Sequence, residues 1–173
     1  MENPLTHEAS AFINFRNYKF RDPRSHSYRW VDLKHLRFPA ESGEAQELLS
    51  ALIGHEQFRD DYAGGGVLSD GSRHGPYWLR LFSSDAYEAV GRERSAYVLW
   101  GWVNQFGDVP AELEADLQEG VFDRLAAADH TYYLSGLGDE AAHDWGRVHD
   151  HFHEFVLIDR SAGRIALLVA ADD

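Results

Sequence analysis

Apolar residues recur along this chain with two different periods, and each period predicts an element. SAFINFRNYKF alternates as a half-buried strand, with Phe12, Tyr18 and Phe20 on one parity and Ile13 and Phe15 on the other. The turn signal DPRS at 22–25 follows, and HSYRWVDL reads as a second strand paired back on the first. Ser42 then precedes GEAQELLSALIG, where Ala45, Leu48, Leu49, Leu52 and Ile53 share one helical stripe behind an N-cap. PYWLRLF predicts a strand, and SSDAYEAVGRER a short helix capped by Ser83 or Ser84. In SAYVLWGWVNQF, Tyr97, Leu99 and Val103 take one parity and Val98, Trp100 and Trp102 the other. Apolar side chains on both parities predict a central strand covered on both faces.

Asp108 and Pro110 open a helix reaching about Ala128; HTYYLSG is a short strand and GDEAAHDWGRV one more helix. HEFVLID, RSAG and RIALLVA form a β-hairpin, with Gly163 placed for a left-handed turn position. Hairpins at both ends and a mixed order of elements predict an α+β fold. It is a single globular domain over 1–173, with a mainly antiparallel sheet, three to four helices and a C-terminal β-hairpin.

Composition narrows the function classes. Of 173 residues 44% are hydrophobic, which argues for a folded globule rather than a disordered chain. The absence of cysteine excludes thiol nucleophiles, thiolate zinc sites and disulfides. The start MENPLTHEAS lacks the pattern of an export signal, and no apolar stretch approaches the roughly 18 residues that span a bilayer, so no membrane role and a cytoplasmic location are expected. Net charge is −13, unevenly spread. Residues 1–37 carry seven basic groups against four acids, whereas residues 108–144 carry ten acids against Arg124 alone. Phosphates would be repelled from the second half, so no nucleic-acid partner is expected there and a basic protein partner is favoured. The competing reading is that the acids only keep the protein soluble.

The strongest candidate chemistry is HDWGRVHDHFHEF, with four histidines, two aspartates and a glutamate in 13 positions. If a strand begins at His149, then His149, His151 and His153 line one face about 6.5 to 7 Å apart, and two of them could share zinc, copper, iron or nickel. A helix running on to Phe152 would pair His149 with His153 instead. Either way the metal candidates are His149, His151 and His153, with Glu154 as an acid or base should the chain be an enzyme. The segment matches neither a His-x-His cupin pair with its later glutamate nor the His-x-His-x-Asp-His of metallo-hydrolases, and HEQFR at His55 lacks the second histidine of a zincin helix. A polar, partly exposed approach to a buried strand is the simpler reading of these residues, so no cofactor is expected beyond this divalent transition-metal option.

Other candidates are weaker. The stretch DDYAGGGVLSDGSRHGP holds five glycines and reads as a long loop. Its Asp60, Asp61 and Asp70 match no calcium loop, and a solvated hinge is the simpler reading. Trp78, Trp100, Trp102 and Trp145 could wall an aromatic pocket or simply pack in the core.

In PAELEADLQEGVFDRL, Leu113, Leu117, Val121 and Leu125 repeat every four residues and face the core. Glu112, Asp116, Glu119 and Asp123 form a neighbouring stripe. Like charges so spaced cost a helix about 0.2 to 0.5 kcal/mol per pair. Each buried leucine repays about 1.5 to 3 kcal/mol. The ridge therefore stands without a function, yet it would dock a basic partner well.

The ending HEFVLIDRSAGRIALLVAADD resembles the closing hairpin of small acidic cytoplasmic proteins of actinobacteria, including immunity-type proteins of toxin systems. The resemblance covers about 21 residues. It implies an inhibitor that covers the active site of a basic toxin, and it carries no site residue across. The expected function is thus a protein-binding module of the immunity or inhibitor type, using Glu112, Asp116, Glu119 and Asp123. The alternative is a small metal-dependent enzyme built on the histidines.

Overall fold

The computed structural model describes residues 2–143 and 151–172. In chain order the strands are β1 (Thr6–Asn14), β2 (Arg29–Arg37), β3 (Arg73–His74), β4 (Tyr77–Trp78), β5 (Tyr87–Val90), β6 (His130–Leu134), β7 (His151–Asp159) and β8 (Arg164–Asp172). The helices are α1 (Ala45–Ile53), α2 (Arg92–Val103), α3 (Ala111–Leu117) and α4 (Asp123–Ala127), the last two joined by a π-turn over Gln118–Phe122 into one helical body. Six strands form a single antiparallel sheet in the order β1-β2-β8-β7-β6-β5, and β3 and β4 make a separate ladder. The architecture is α+β, as the pattern predicts, with three helical bodies. None of its helices is long and apolar enough to cross a membrane, among the described residues.

The C-terminal hairpin supplies the middle of the sheet. β8 lies between β2 and β7, and its Ile165 to Asp172 are all buried, because both faces of the sheet are covered there. Gly163 turns the hairpin at φ 63, in the left-handed region that glycine enters without the cost a Cβ brings.

Alternation along the strands divides the core in two. One face collects Val31, Leu33, Phe155, Leu157 and Leu168 beneath α2 and the 111–127 helix. The other collects Leu36, Val156, Ile158, Ile165 and Leu167 beneath α1 and the segment running from Phe58 to Tyr87.

The segment predicted as a central strand is α2, and the reason is legible afterwards. Its buried residues are Ser95, Leu99, Trp102 and Val103, spaced i, i+4, i+7 and i+8 as on one side of a helix. A short apolar run reads as a buried strand or a buried helix with equal ease, and its length of 12 residues was the better guide. The C-terminus of α2 is secured by Arg29, which is fully buried. Arg29 Nη1 donates to the carbonyls of Trp102 (3.0 Å) and Val103 (2.5 Å), Nη2 to Ser25 (2.6 Å) and Nε to His26 (3.0 Å). Burial lowers its pKa to about 10, which leaves it charged at neutral pH and matched to the helix's negative end.

Smaller corrections follow the same logic. β1 stops at Asn14, whose side chain accepts from the Arg16 N–H, and Phe15 begins a 3₁₀ turn rather than extending the strand to Phe20. α1 is preceded by Glu44 without a side-chain cap, so Ser42 does not cap it. The helix predicted over SSDAYEAVGRER is one 3₁₀ turn (Ser84–Ala86) followed by β5. PYWLRLF is strand only at Tyr77–Trp78 before a 3₁₀ turn at Leu79–Leu81. Of the predicted helix GDEAAHDWGRV, the described part holds a 3₁₀ turn at Asp139–Ala141, and the remainder beyond His143 lies outside the described residues.

Candidate functional site

Beside the edge strand, the loop-covered face of the sheet opens into a cleft of about 450 Å³. Phe12 pairs with Asp32 and Asn14 with Trp30 across β1 and β2, which sets all four side chains on the same face. Tyr62 closes the cleft from the glycine loop, with Gly64 and Gly66 on the rim. The Phe12 and Trp30 ring centroids are 5.8 Å apart, and Trp30 lies 5.7 Å from Tyr62, nearly parallel at 20°.

Beneath these rings lies a buried ammonium. Lys34 is 3% exposed, and its Nζ donates to Asp60 Oδ2 (2.9 Å), Asp32 Oδ2 (3.2 Å) and the Tyr62 hydroxyl (2.8 Å). Three donors meet three acceptors, so the cation is fully satisfied. Two carboxylates around one ammonium leave the floor with a net negative charge. Burial pushes Asp32 above the usual carboxylate range, against the opposing pull of Lys34. Burial, then Asp32 and Asp60, push Tyr62 well above the usual phenol value, so it stays protonated.

Asp60 also fastens the loop. Its Oδ1 accepts the Tyr62 N–H at 2.8 Å, its carbonyl accepts the Gly75 N–H at 2.8 Å, and it bridges to Val67. These bonds hold Tyr62 at φ 57, an uncommon conformation for a bulky residue. Gly64 and Gly66 take φ 102 and φ 69, which the tight loop requires of glycine.

A second polar group sits deeper on the same face. Glu154 and His74 are both fully buried. His74 Nε2 contacts Glu154 Oε1, and the Tyr87 hydroxyl donates to Glu154 Oε2. His74 Nδ1 lies 2.5 Å from the Phe58 carbonyl, which can only accept, so Nδ1 carries a proton and one further proton is shared between Nε2 and the carboxylate. The imidazole stacks on Phe58 with centroids 3.5 Å apart. With His74 and Glu154 fully buried and Tyr87 nearly so, this trio ties the 58–87 segment to the sheet.

The residues singled out in the sequence fall in several places. His149 lies outside the described residues. His151 and His153 do share a face of β7, with ring centroids 6.4 Å apart. His151 Nδ1 pairs with Asp172 (2.9 Å) and His153 Nδ1 with the Tyr133 hydroxyl (2.9 Å). Glu154 points to the opposite face of the sheet, so it is not their acid or base in this arrangement. Among the described residues, no group of three or more histidine, aspartate or glutamate side chains is placed to hold a metal ion.

The tryptophans do not converge. Trp100 stacks on Phe122 at 3.9 Å and Trp102 packs on Phe15 at 5.3 Å, while Trp78 sits 5.7 Å from His143 and Trp145 lies outside the described residues. Asp60, read as part of a solvated hinge, is instead a buried partner of Lys34.

Leu113, Leu117, Val121 and Leu125 are all buried, and Glu112, Asp116, Glu119 and Asp123 are all exposed. A spacing of four residues drifts about 40° per step on an α-helix, or about 120° from Leu113 to Leu125. The π-turn absorbs that drift, because its wider turn brings the row back to the core. At the rim of this helix the Tyr18 hydroxyl donates to Asp116, and Gln118 Nε2 donates to Asp123 Oδ1 at 2.9 Å.

Sequence reasoning missed Lys34 with Asp32, and His74 with Glu154. The signal available was Asp32 and Lys34 on the same parity as Trp30 and Leu36, and Glu154 between Phe152 and Val156, inward charges on strand faces that are otherwise apolar. Comparison with protein-family models, with curated proteins and with solved structures finds no match to this chain.

Proposed function

We propose that the chain is a protein-binding module of the inhibitor type, which covers a basic partner with the acidic face of its 111–127 helix. One observation carries this reading. The helix turns its whole apolar row into the core while Glu112, Glu114, Asp116, Glu119 and Asp123 stand exposed, with Arg124 the only base between Ala111 and Ala127. Packing of the apolar row therefore fixes the backbone of the acidic face, its carboxylates being engaged only by Tyr18 at Asp116 and Gln118 at Asp123 among the described residues, and a rigid charged surface loses little entropy when a partner docks. Complementary charge also speeds encounter and rejects partners of the wrong sign.

The test is a variant with Glu112, Asp116, Glu119 and Asp123 all changed to glutamine, used beside the wild type to capture proteins from the host lysate. A basic protein is expected to be retained by the wild type at low salt, lost as salt rises, and lost from the variant. Identical capture by both chains would refute the helix reading.

A further inference from the structure

We propose that the cleft between β1, β2 and the 60–67 loop is a receptor for an organic cation carrying N–H donors, a primary ammonium or a guanidinium, seated on Asp32 and enclosed by Phe12, Trp30 and Tyr62. This site lies on the opposite side of the sheet from the 111–127 helix, so it stands apart from the docking reading above.

The charge argument comes first. Lys34 is nearly without exposure and has all three N–H groups engaged, so it fixes the two carboxylates from below rather than filling the cleft. It binds Oδ2 of each aspartate, and Oδ1 of Asp60 accepts from Tyr62. Asp32 Oδ1 has no hydrogen bond among the described residues, and Asp32 lines the cleft. Burial raises the Asp32 pKa in spite of Lys34, so this carboxylate is short of compensating positive charge. A cation with an N–H group supplies both the charge and the missing donor.

The walls agree. Ring faces attract cations, and guanidinium groups also stack on them. Phe12 is 59% exposed on the edge strand and lines the cleft, which leaves an aromatic ring at its mouth. A volume of about 450 Å³ falls within the size of small-ligand sites. An anion would meet the carboxylates, and a neutral ring compound would stack on the walls while leaving Asp32 uncompensated. A metal ion would find one free oxygen, since the others are taken by Lys34 and the Tyr62 N–H.

The same head group can come from a free amine or from a basic side chain of a peptide. The experiment follows backbone and indole amide shifts of the whole chain on titration with butylguanidine, butylamine, butylurea, a capped Gly-Arg-Gly peptide and its citrulline counterpart. The expected result is saturable shifts at Trp30, Gly64 and Gly66 with the charged probes, and binding at least about tenfold weaker for butylurea and the citrulline peptide. Asp32→Asn should also weaken butylguanidine about tenfold, and Phe12→Ala, at an exposed position that the fold tolerates, should weaken it several-fold. Tighter binding of the arginine peptide than of butylguanidine assigns the cation to a polypeptide, and the reverse order assigns it to a free small molecule.

The proposal fails if no charged probe saturates at millimolar concentration, if butylurea binds as well as butylguanidine, or if both variants bind like the wild type. The quadruple glutamine variant should keep the cleft's affinity, which separates this failure from failure of the helix reading.

Discussion

The two faces of the sheet are closed in different ways. Under α2 and the 111–127 helix the strands contribute Val31, Leu33, Phe155, Leu157 and Leu168, and the fully buried Arg29 is met by backbone carbonyls at a helix end. Under the 58–87 segment the strands contribute Asp32, Lys34 and Glu154 as well as apolar residues, and the cover answers with Asp60, Tyr62, His74 and Tyr87. A helix satisfies its own backbone and needs only an apolar stripe to pack. An irregular segment does not, so it has to be fixed to the sheet at chosen points by hydrogen bonds and ion pairs. The polar interior therefore marks where loops cover the sheet, and the cleft opens along that side.

The largest effect is expected from cutting the deepest of these ties. Glu154→Ala leaves His74 Nε2 and the Tyr87 hydroxyl without their acceptor in a sealed interior, and unfolding by denaturant should show a loss of about 3 to 5 kcal/mol. Changing the whole trio to apolar residues, with His74→Phe, Glu154→Leu and Tyr87→Phe together, should recover most of that loss, since no buried polar group is then left alone. A loss below about 1 kcal/mol in Glu154→Ala would mean that the loop-covered face is held by packing alone, and the contrast between the faces would collapse.

This contrast also explains what could be read in the sequence. The hairpin at 151–172, with its glycine turn between two apolar runs, the pairing of β1 with β2 across a turn signal, and the 111–127 helix, with its apolar row, were each legible, although the π-turn that keeps that row on the core was not. α2 was not, because apolar residues on every side obscured its stripe at Ser95, Leu99, Trp102 and Val103. The cleft was legible only in fragments. Its glycine loop stood out, but Asp32 and Asp60 lie 28 positions apart in sequence and meet through Lys34 only once β2 is paired and the loop folds over it. The histidine run drew attention by composition, yet strand alternation sends Glu154 to one face and His151 and His153 to the other.

A moderate effect concerns His153, on the helix-covered face. Burial, reinforced by the neighbouring His151 and opposed by Asp172, holds its pKa below the ordinary imidazole value, and the Tyr133 hydroxyl occupies Nδ1. In the unfolded chain the imidazole takes up a proton first as pH falls. The unfolded state then binds more protons than the folded one, and stability declines as pH drops through and below about 6.5. His35 and His55, also lowered chiefly by burial, act in the same sense. Denaturant midpoints should therefore be lower at pH 5.5 than at pH 7.5 (roughly one unit either side of the free imidazole value). His153→Gln should shrink that difference without abolishing it. An unchanged difference would show that His153 takes up protons equally in the folded and unfolded chain over that range, so that burial does not hold its pKa down.

The smallest effect lies at the rim of the helix-covered face. Tyr18 is pushed up to about 12, first by burial and then by its hydrogen bond to Asp116 and the charges of Asp116 and Glu112. In Asp116→Asn the amide oxygen still accepts from Tyr18, and relief of repulsion with Glu112 and Glu119 offsets the weaker bond, so stability should change by less than about 0.5 kcal/mol. The phenol should nevertheless titrate lower than in the wild type, measured on labelled tyrosine by NMR, while remaining above its ordinary value because burial is untouched. A large loss of stability instead would mean that Asp116 holds the helix in place. Its carboxylate would then be structural, and the acidic face would have one group fewer to offer a partner.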